Sequence, residues 1–277
     1  MNVNADEHTV EGFGHEWRAF KYDGAADAVE IRALFDEYFR GFPWDSLPPD
    51  ARGFDAGCGS GRWARLVSER VGHLDLVDAS EQALGVAAEN LQQKTNVTLH
   101  RASVAQLPFA DESMDFGYSL GVLHHVPQPE QALQECVRVL KPGAPFLVYM
   151  YYALEDKPVF YRALWRVSDA ARHRISRLPF PLRYAVSQAI AGGVYWPFAR
   201  LSLALERLGV DVTSLPLHAY RDLSFYVMRT DALDRFGTRL EHRFRRDQLE
   251  RMMRDAGLER ISLVENRMRW TLLGRRK

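Results

Sequence analysis

The sequence predicts an open, doubly wound α/β sheet carrying one mostly helical insertion. Short apolar runs alternate with helical-period stretches from Ala51 to Tyr152. A glycine cluster, FDAGCGSGRW (Phe54 to Trp63), joins the first apolar run to the first of those helical stretches. The alternation stops near Ala153 and resumes after Thr238. Strands alternating with helices pack as a parallel sheet with right-handed crossovers.

Taken in order, the first 50 residues hold a Gly- and aromatic-containing arm, Glu11 to Tyr22. A helix is expected over Ala25 to Phe39, where Ile31, Leu34, Phe35, Tyr38 and Phe39 recur at helical spacing. The loop GFPWDSLPPD ends it. ARGFDA then reads as a strand and GRWARLVSERV as a helix starting right after the glycines. HLDLVD, VTLHRA, MDFGYSL and PFLVYMYY read as further strands. SEQALGVAAENLQQ and PEQALQECVRVL read as the helices between them. After the insertion come RRDQLERMMRDAGL (helix), LERISLVEN (strand) and RWTLLGRR (strand). The expected division is 1–50, then a core of 51–152 and 239–277, with 153–238 inserted. No internal repeat is evident.

Bulk properties exclude several classes. With 277 residues, 47% hydrophobic and 26% charged, the chain is ordinary for a globular protein. Its formal net charge is zero and no basic reading motif appears, so no nucleic-acid partner is expected. Cys58 and Cys136 form no metal pattern and no disulfide framework, which fits a reducing, cytoplasmic setting. The polar start MNVNADEHTVEGFGHEW lacks the pattern of a signal peptide, and no apolar window reaches membrane-spanning length.

A glycine-rich strand-to-helix turn is where such sheets bind ligands. Gly57, Gly59 and Gly61 allow positive φ and close ligand approach. A helix starting near Arg62 would offer N–H groups to a carboxylate or phosphate. The dinucleotide pattern GxGxxG is not met, because the third glycine comes one residue early and Arg62 stands at the final glycine's place. Asp55 before the glycines would repel a pyrophosphate and suits an ammonium group. Asp78, ending the second strand, can accept both hydroxyls of a ribose. Ammonium, carboxylate and ribose together describe an aminoacyl nucleoside, and S-adenosyl-L-methionine has all three.

With these residues the chain resembles the class I S-adenosylmethionine-dependent methyltransferases. The resemblance covers about Arg52 to Tyr152 closely and the final helix–strand–strand loosely. It rests on FDAGCGSG, LDLVDAS, LPFADESMDFGYSLGVLHHVP and RVLKPGAPFLVY in order. EGFGHEWRAF also looks like the FGxxW arm that precedes the core in one bacterial subgroup. The resemblance implies a Rossmann-like seven-stranded sheet of order 3-2-1-4-5-7-6 with the last strand antiparallel. It implies that Asp55, Gly57, Cys58, Gly59 and Gly61 hold the methionine end of the cofactor. Asp78, Ala79 and Ser80 would lie at the ribose, with Ser80 capping the next helix. Ser103 and Val104 stand where the family often has an acid and a small residue at the adenine; the acid is missing here. Ser119 and Leu120 would face the sulfonium, and the arm and first helix would cover the cofactor site.

Methyl transfer from a sulfonium relies on positioning and desolvation, with a base needed only for a protonated nucleophile. His124 and His125 follow the fourth strand and read either as acid–base groups or as wall residues. Tyr149, Tyr151 and Tyr152 end the fifth strand and read either as pocket or as core. In LPLHAYRDLSFYVMRTDALDRFG, His218, Tyr220, Arg221, Arg229 and Asp234 are candidates to meet an acceptor, against a reading of the segment as a solvated, salt-bridged loop. Tyr151 and Tyr220 are also candidate catalytic groups. Phe13 and Trp17 read either as a lid or as anchors of the arm. No metal site is expected.

From Lys157 to Arg207, nine Lys/Arg stand against Asp169 and Glu206, a balance of +7. Three readings apply: attraction of an anionic small substrate, contact with a membrane surface, or solvated faces of packed helices. The expected function is methyl transfer to O or N of a small-molecule acceptor, an anionic one included. A homodimer is compatible with this. The competing readings are a non-catalytic S-adenosylmethionine-binding partner protein and, against the glycine spacing, a nucleotide-dependent oxidoreductase.

Overall fold

The seven strands form one sheet of order β3-β2-β1-β4-β5-β7-β6. They are β1 (Arg52–Ala56), β2 (His73–Asp78), β3 (Val97–Arg101), β4 (Phe116–Leu120), β5 (Pro145–Tyr149), β6 (Leu258–Glu265) and β7 (Trp270–Arg276). β1 to β5 pair in parallel, and β7 runs antiparallel to both neighbours. This is the order the resemblance implies. The computed structural model describes residues 4–22, 24–155, 157–265 and 270–277, with the side chains of 25–27, 265 and 270 also left aside. Residues 266 and 269, which the expected last two strands include, lie outside the described residues, as do residues 1–3 of the polar N-terminus.

The chain divides into two compact units, residues 1–153 with 240–277, and residues 154–239. In the first unit, β4 and β5 are buried along their whole length, as central parallel strands are. Gly53 lies beside the Phe116 ring and Gly117 beside the Phe54 ring; a Cβ at either glycine would come within 2.4 Å of the phenyl. The two glycine–phenylalanine pairs, in register across β1 and β4, interlock the centre of the sheet. Phe54, Phe146, Leu133, Cys136 and Leu140 are fully buried in the core.

Helices α1 (Glu7–Ala19), α2 (Ala25–Tyr38), α3 (Ala64–Val67), α4 (Glu81–Asn90) and α5 (Pro129–Arg138) precede β5. The expected arm is therefore a helix, α1, capped by Asp6, whose Oδ1 accepts from Thr9 N at 2.8 Å. The helix expected from Arg62 starts only at Ala64 and lasts one turn. Gly61, at φ +73°, holds the chain outside helical geometry just before it. β5 ends at Tyr149, and Tyr152 instead bridges Phe244 through the backbone.

The second unit contains α6 (Val159–Ile175), α7 (Phe180–Ile190), α8 (Trp196–Arg207) and α9 (Phe225–Gly237). A widened turn at Ala191–Tyr195, containing Gly192 and Gly193, joins α7 to α8. α9 occupies much of the segment expected as a salt-bridged loop. Ser224 caps it by accepting from Val227 N, and Val227, Met228, Leu233 and Phe236 are buried at helical spacing. α10 (Arg246–Asp255) returns the chain to the first unit before β6.

Three arginines of the basic segment form an internal scaffold in the second unit. Arg172, buried, binds Asp169 at 2.8 Å and donates to the carbonyls of Thr238 and Arg239 at 3.0 and 2.9 Å. Arg183 donates to Gly237 O, and Arg200 to the carbonyls of Arg221 and Leu223. Each guanidinium satisfies backbone acceptors that helix and turn ends leave unpaired. Among the described residues, no helix is long and apolar enough to cross a membrane.

Candidate functional site

The site is built at the carboxyl end of β1. Gly57, Gly59 and Gly61 have φ of +87°, +54° and +73°, values that a side chain makes costly. Space excludes a side chain as well. A Cβ at Gly57 would lie 2.4 Å from the Val122 side chain, and one at Gly59 2.7 Å from the Trp17 indole. The loop is pinned to β2 by Gly57 N and Cys58 N, both donating to Val77 O.

Asp78 closes the loop from the other side. Its Oδ2 accepts from Gly59 N at 3.0 Å and its Oδ1 from Ser80 N at 2.8 Å. Burial raises its pKa, against the pull of those N–H groups. Ser80 caps α4, accepting from Ala83 N. Ala79, half-buried, lies between them.

Asp55 is 1% exposed, and its Oδ2 has no hydrogen-bond partner among the described residues. Desolvation is the main cause that pushes its pKa up to about 8. The Tyr118 hydroxyl and Arg62 pull it down, and Asp78 adds to the rise. A buried carboxyl oxygen in this state is what a ligand ammonium would complete. Cys58 is buried with its thiol pushed well above the usual range, first by desolvation and then by Asp78 and Asp55, so it is unreactive.

The N-terminal helix packs on this loop through its FGHEW stretch. Phe13 lies 5.0 Å from the His125 ring, and Gly14 leaves room for the Ser80 hydroxyl. The Arg62 guanidinium sits over three rings, Trp17, Tyr22 and Trp63, at 5.1, 5.0 and 4.7 Å. Trp17 thus docks α1 on the glycine loop, and Phe13 docks it on His125 beyond β4. Arg62 is the residue that sequence reasoning missed. Its signal was its place between the last glycine and a tryptophan. A one-turn helix has little dipole, so a ligand carboxylate at this loop calls for a side-chain cation, and Arg62 is the one beside it.

Ser103 and Val104 are buried at a turn where Ala105 N donates to the Ser103 hydroxyl at 3.2 Å. The Ser119 hydroxyl is fully buried and donates to Ala56 O at 2.8 Å, tying β4 to β1. Leu120 follows, nearly buried, before Gly121 turns the chain at φ +81°.

His124 and His125 are buried and adjoin Tyr151. His124 stacks on the Tyr151 ring at 3.9 Å, and His125 meets it edge-on at 5.6 Å. His125 Nδ1 bonds Leu240 O at 2.7 Å, which places the proton on Nδ1 and makes Nε2 the acceptor nitrogen. Arg243 lies over the Tyr151 ring and donates to Tyr152 O. Tyr149, Tyr38 and Trp63 continue the aromatic wall, each 5.3 Å from the next.

The candidates of the second unit are engaged within it. Tyr220 is buried, and its hydroxyl donates to Asp231 at 2.9 Å. Burial, then Asp231, raise its pKa well above 10, so the expectation of Tyr220 as a catalytic group gives way to a core role. Arg221 binds Glu206 at 2.7 Å and the carbonyl of His218. His218 donates from Nδ1 to Leu215 O, and burial lowers its pKa. Arg229 bonds Gln188 and Tyr184. Among the described residues, no His, Cys, Asp and Glu group is arranged to hold a metal.

The chain is similar to known proteins in sequence and in fold. Residues 54–148 match the family model of the methyltransferase domain. An uncharacterized methyltransferase of Bacillus subtilis is 34% identical over 131 residues, covering 46% of this chain and 52% of its own length. A ubiquinone biosynthesis O-methyltransferase of Hahella chejuensis is 35% identical over 98 residues, 35% of this chain and 41% of its own. The chain thus spans about half or less of the length of these relatives. Among solved structures, a methyltransferase from Thermotoga maritima shares the fold, with a TM-score of 0.51 at 17% identity. That match covers 96% of this chain and all of the other.

Proposed function

We propose, from the premise that this chain carries a class I S-adenosylmethionine-dependent methyltransferase domain, that it transfers a methyl group from S-adenosylmethionine to an oxygen or nitrogen of a small, anionic acceptor. The observation that carries the reading is the cradle of Asp55, Gly57, Gly59, Gly61 and Asp78, with Asp55 Oδ2 buried and unpartnered among the described residues. When bound, the cofactor supplies an electrophilic methyl group on a sulfonium. The chain's own residues supply the rest. Asp55 takes the ammonium and Arg62 the carboxylate, while Asp78 keeps the loop closed and meets the ribose. Val104 and the backbone at Ser103 read the adenine, since the Ser103 hydroxyl is already engaged. The aromatic wall of Tyr38, Tyr149, Tyr151 and His124 excludes water, and His125 Nε2 accepts a proton from a protonated nucleophile. The excess of basic residues in the helical unit supports an anionic acceptor.

A second reading is a non-catalytic cofactor-binding protein, favoured by the missing acid at Ser103. One experiment separates the two. Calorimetry with S-adenosylhomocysteine tests the cradle, and incubation with methyl-labelled cofactor and a metabolite extract tests transfer. Absence of binding sinks both readings; binding without label on any acceptor leaves only the second.

A further inference from the structure

Helix α6 of the second unit presents a face that its neighbours do not cover. Val159, Phe160, Leu164 and Val167 are each more than half exposed, at 72, 58, 51 and 68%. Phe160, Leu164 and Val167 recur at i, i+4 and i+7, with Val159 and Ala163 beside them, so they share one face. Single exposed apolar residues are ordinary on a surface, but four on one helix face are not.

The exposed charge on the helix itself has one sign. Arg162 and Arg166, four residues apart, form the adjoining row, and Arg174 lies at the C-terminal end; all three are exposed. None of them makes an ion pair with a carboxylate among the described residues, unlike Arg172, Arg221 and Arg235. The helix has one acid, Asp169, and it is held by Arg172 and Arg235. The exposed face is therefore apolar and cationic with no exposed acid. At 17 residues α6 is too short to span a bilayer. α8 exposes Trp196, Phe198 and Leu201 too, but an exposed acid, Glu206, stands there beside Arg207, so the charge has both signs and selects no occupant.

We infer that α6 docks the protein on an anionic lipid surface, with Phe160, Leu164 and Val167 entering the interface and Arg162, Arg166 and Arg174 meeting lipid phosphates. Apolar residues on one side of a helix and arginines beside them are the composition of helices that lie in a membrane interface. Each arginine near an anionic surface adds about 1 kcal/mol, about fivefold in partitioning, and salt screens it.

The test is co-sedimentation of the full chain with vesicles of phosphatidylcholine alone or mixed with phosphatidylglycerol. Binding to the anionic vesicles is expected, weakening as salt rises, with little binding to the neutral ones. F160E/L164E should reduce binding at least tenfold, and R162Q/R166Q by roughly twentyfold at low salt. Both variants should keep the wild-type circular dichroism and S-adenosylhomocysteine affinity, since the changed residues are exposed and outside the cradle. No binding to anionic vesicles overturns the inference, as does equal binding to neutral ones. So does sedimentation velocity showing a dimer that F160E/L164E dissolves, because the face would then belong to a second copy.

Discussion

Buried charge is used in two ways, and each unit holds a clear case of one of them. In the helical unit, Arg172, Arg183 and Arg200 direct their N–H groups at backbone carbonyls of the same unit. Tyr220 and Arg229 likewise bond to side chains within it. In the α/β unit, Asp55 is as buried as any of these, yet Oδ2 has no partner among the described residues. A buried polar group that is satisfied internally holds a fold together; one left over waits for a ligand. The sequence shows charge in both units, but only the pairing tells the two uses apart.

The comparison breaks most visibly at Arg172. Arg172→Leu leaves two carbonyls without their donor and Asp169 with Arg235 alone among the arginines, so the helical unit should lose about 2–4 kcal/mol. Denaturant unfolding should reveal this as a separate early transition, with S-adenosylhomocysteine affinity unchanged. If cofactor binding collapses as well, the two units are not independent in the way their hydrogen bonds suggest. Asp78→Ala should do the reverse. Removing an acceptor of two backbone N–H groups costs about 1.5–3 kcal/mol, roughly 10- to 150-fold in cofactor affinity by calorimetry, with the helical unit unaffected.

A smaller effect is expected at Gly59. Alanine there adds about 1–2 kcal/mol of left-handed strain and drives its methyl into the Trp17 indole. Trp17→Ala in the same chain should recover the collision but not the strain, giving a partial rescue of melting temperature. Full rescue would mean that the backbone tolerates the side chain, and that the glycine is there for α1 alone.

The most specific effect is on pH. Asp55 has a folded pKa of about 8, above its unfolded value near 4. The folded state therefore binds the proton more tightly, and its contribution to stability is full below pH 4 and lost as pH rises through about 8. Cofactor-free protein should lose stability over that window, and Asp55→Asn should flatten the slope. An unchanged slope would show that Asp55 is already ionised.

Much of this was legible in the sequence for physical reasons. The alternation of strands and helices was legible from short apolar runs and helical spacing, and the strand order came with the resemblance that four ordered motifs carry. Asp55, the three glycines and Asp78 were legible because they are close in sequence and meet around one turn. The rest depended on partners far along the chain. α1 read as an arm because Gly14 resembles a breaker, yet it is a glycine because the Ser80 hydroxyl, 66 residues on, needs the space. α9 read as a solvated loop because Arg229, Asp231 and Arg235 look exposed in sequence, but they pair with Tyr184, Tyr220 and Asp169. The hydroxyl bonds of Ser119 to Ala56 and of Tyr220 to Asp231 were hidden for the same reason: a hydroxyl's partner is not written next to it.

The central claim is that Asp55 is the carboxyl kept for the ammonium of the cofactor. It is tested most directly by titrating S-adenosylhomocysteine at pH 7 in two buffers of different ionisation enthalpy. Asp55 is mostly protonated in the free protein at that pH, and an ammonium beside it favours the ionised form, so binding should release about one proton. Release should vanish in Asp55→Asn, whose affinity should also fall. Tight binding with no proton release, the same in the wild type and in Asp55→Asn, would contradict the account.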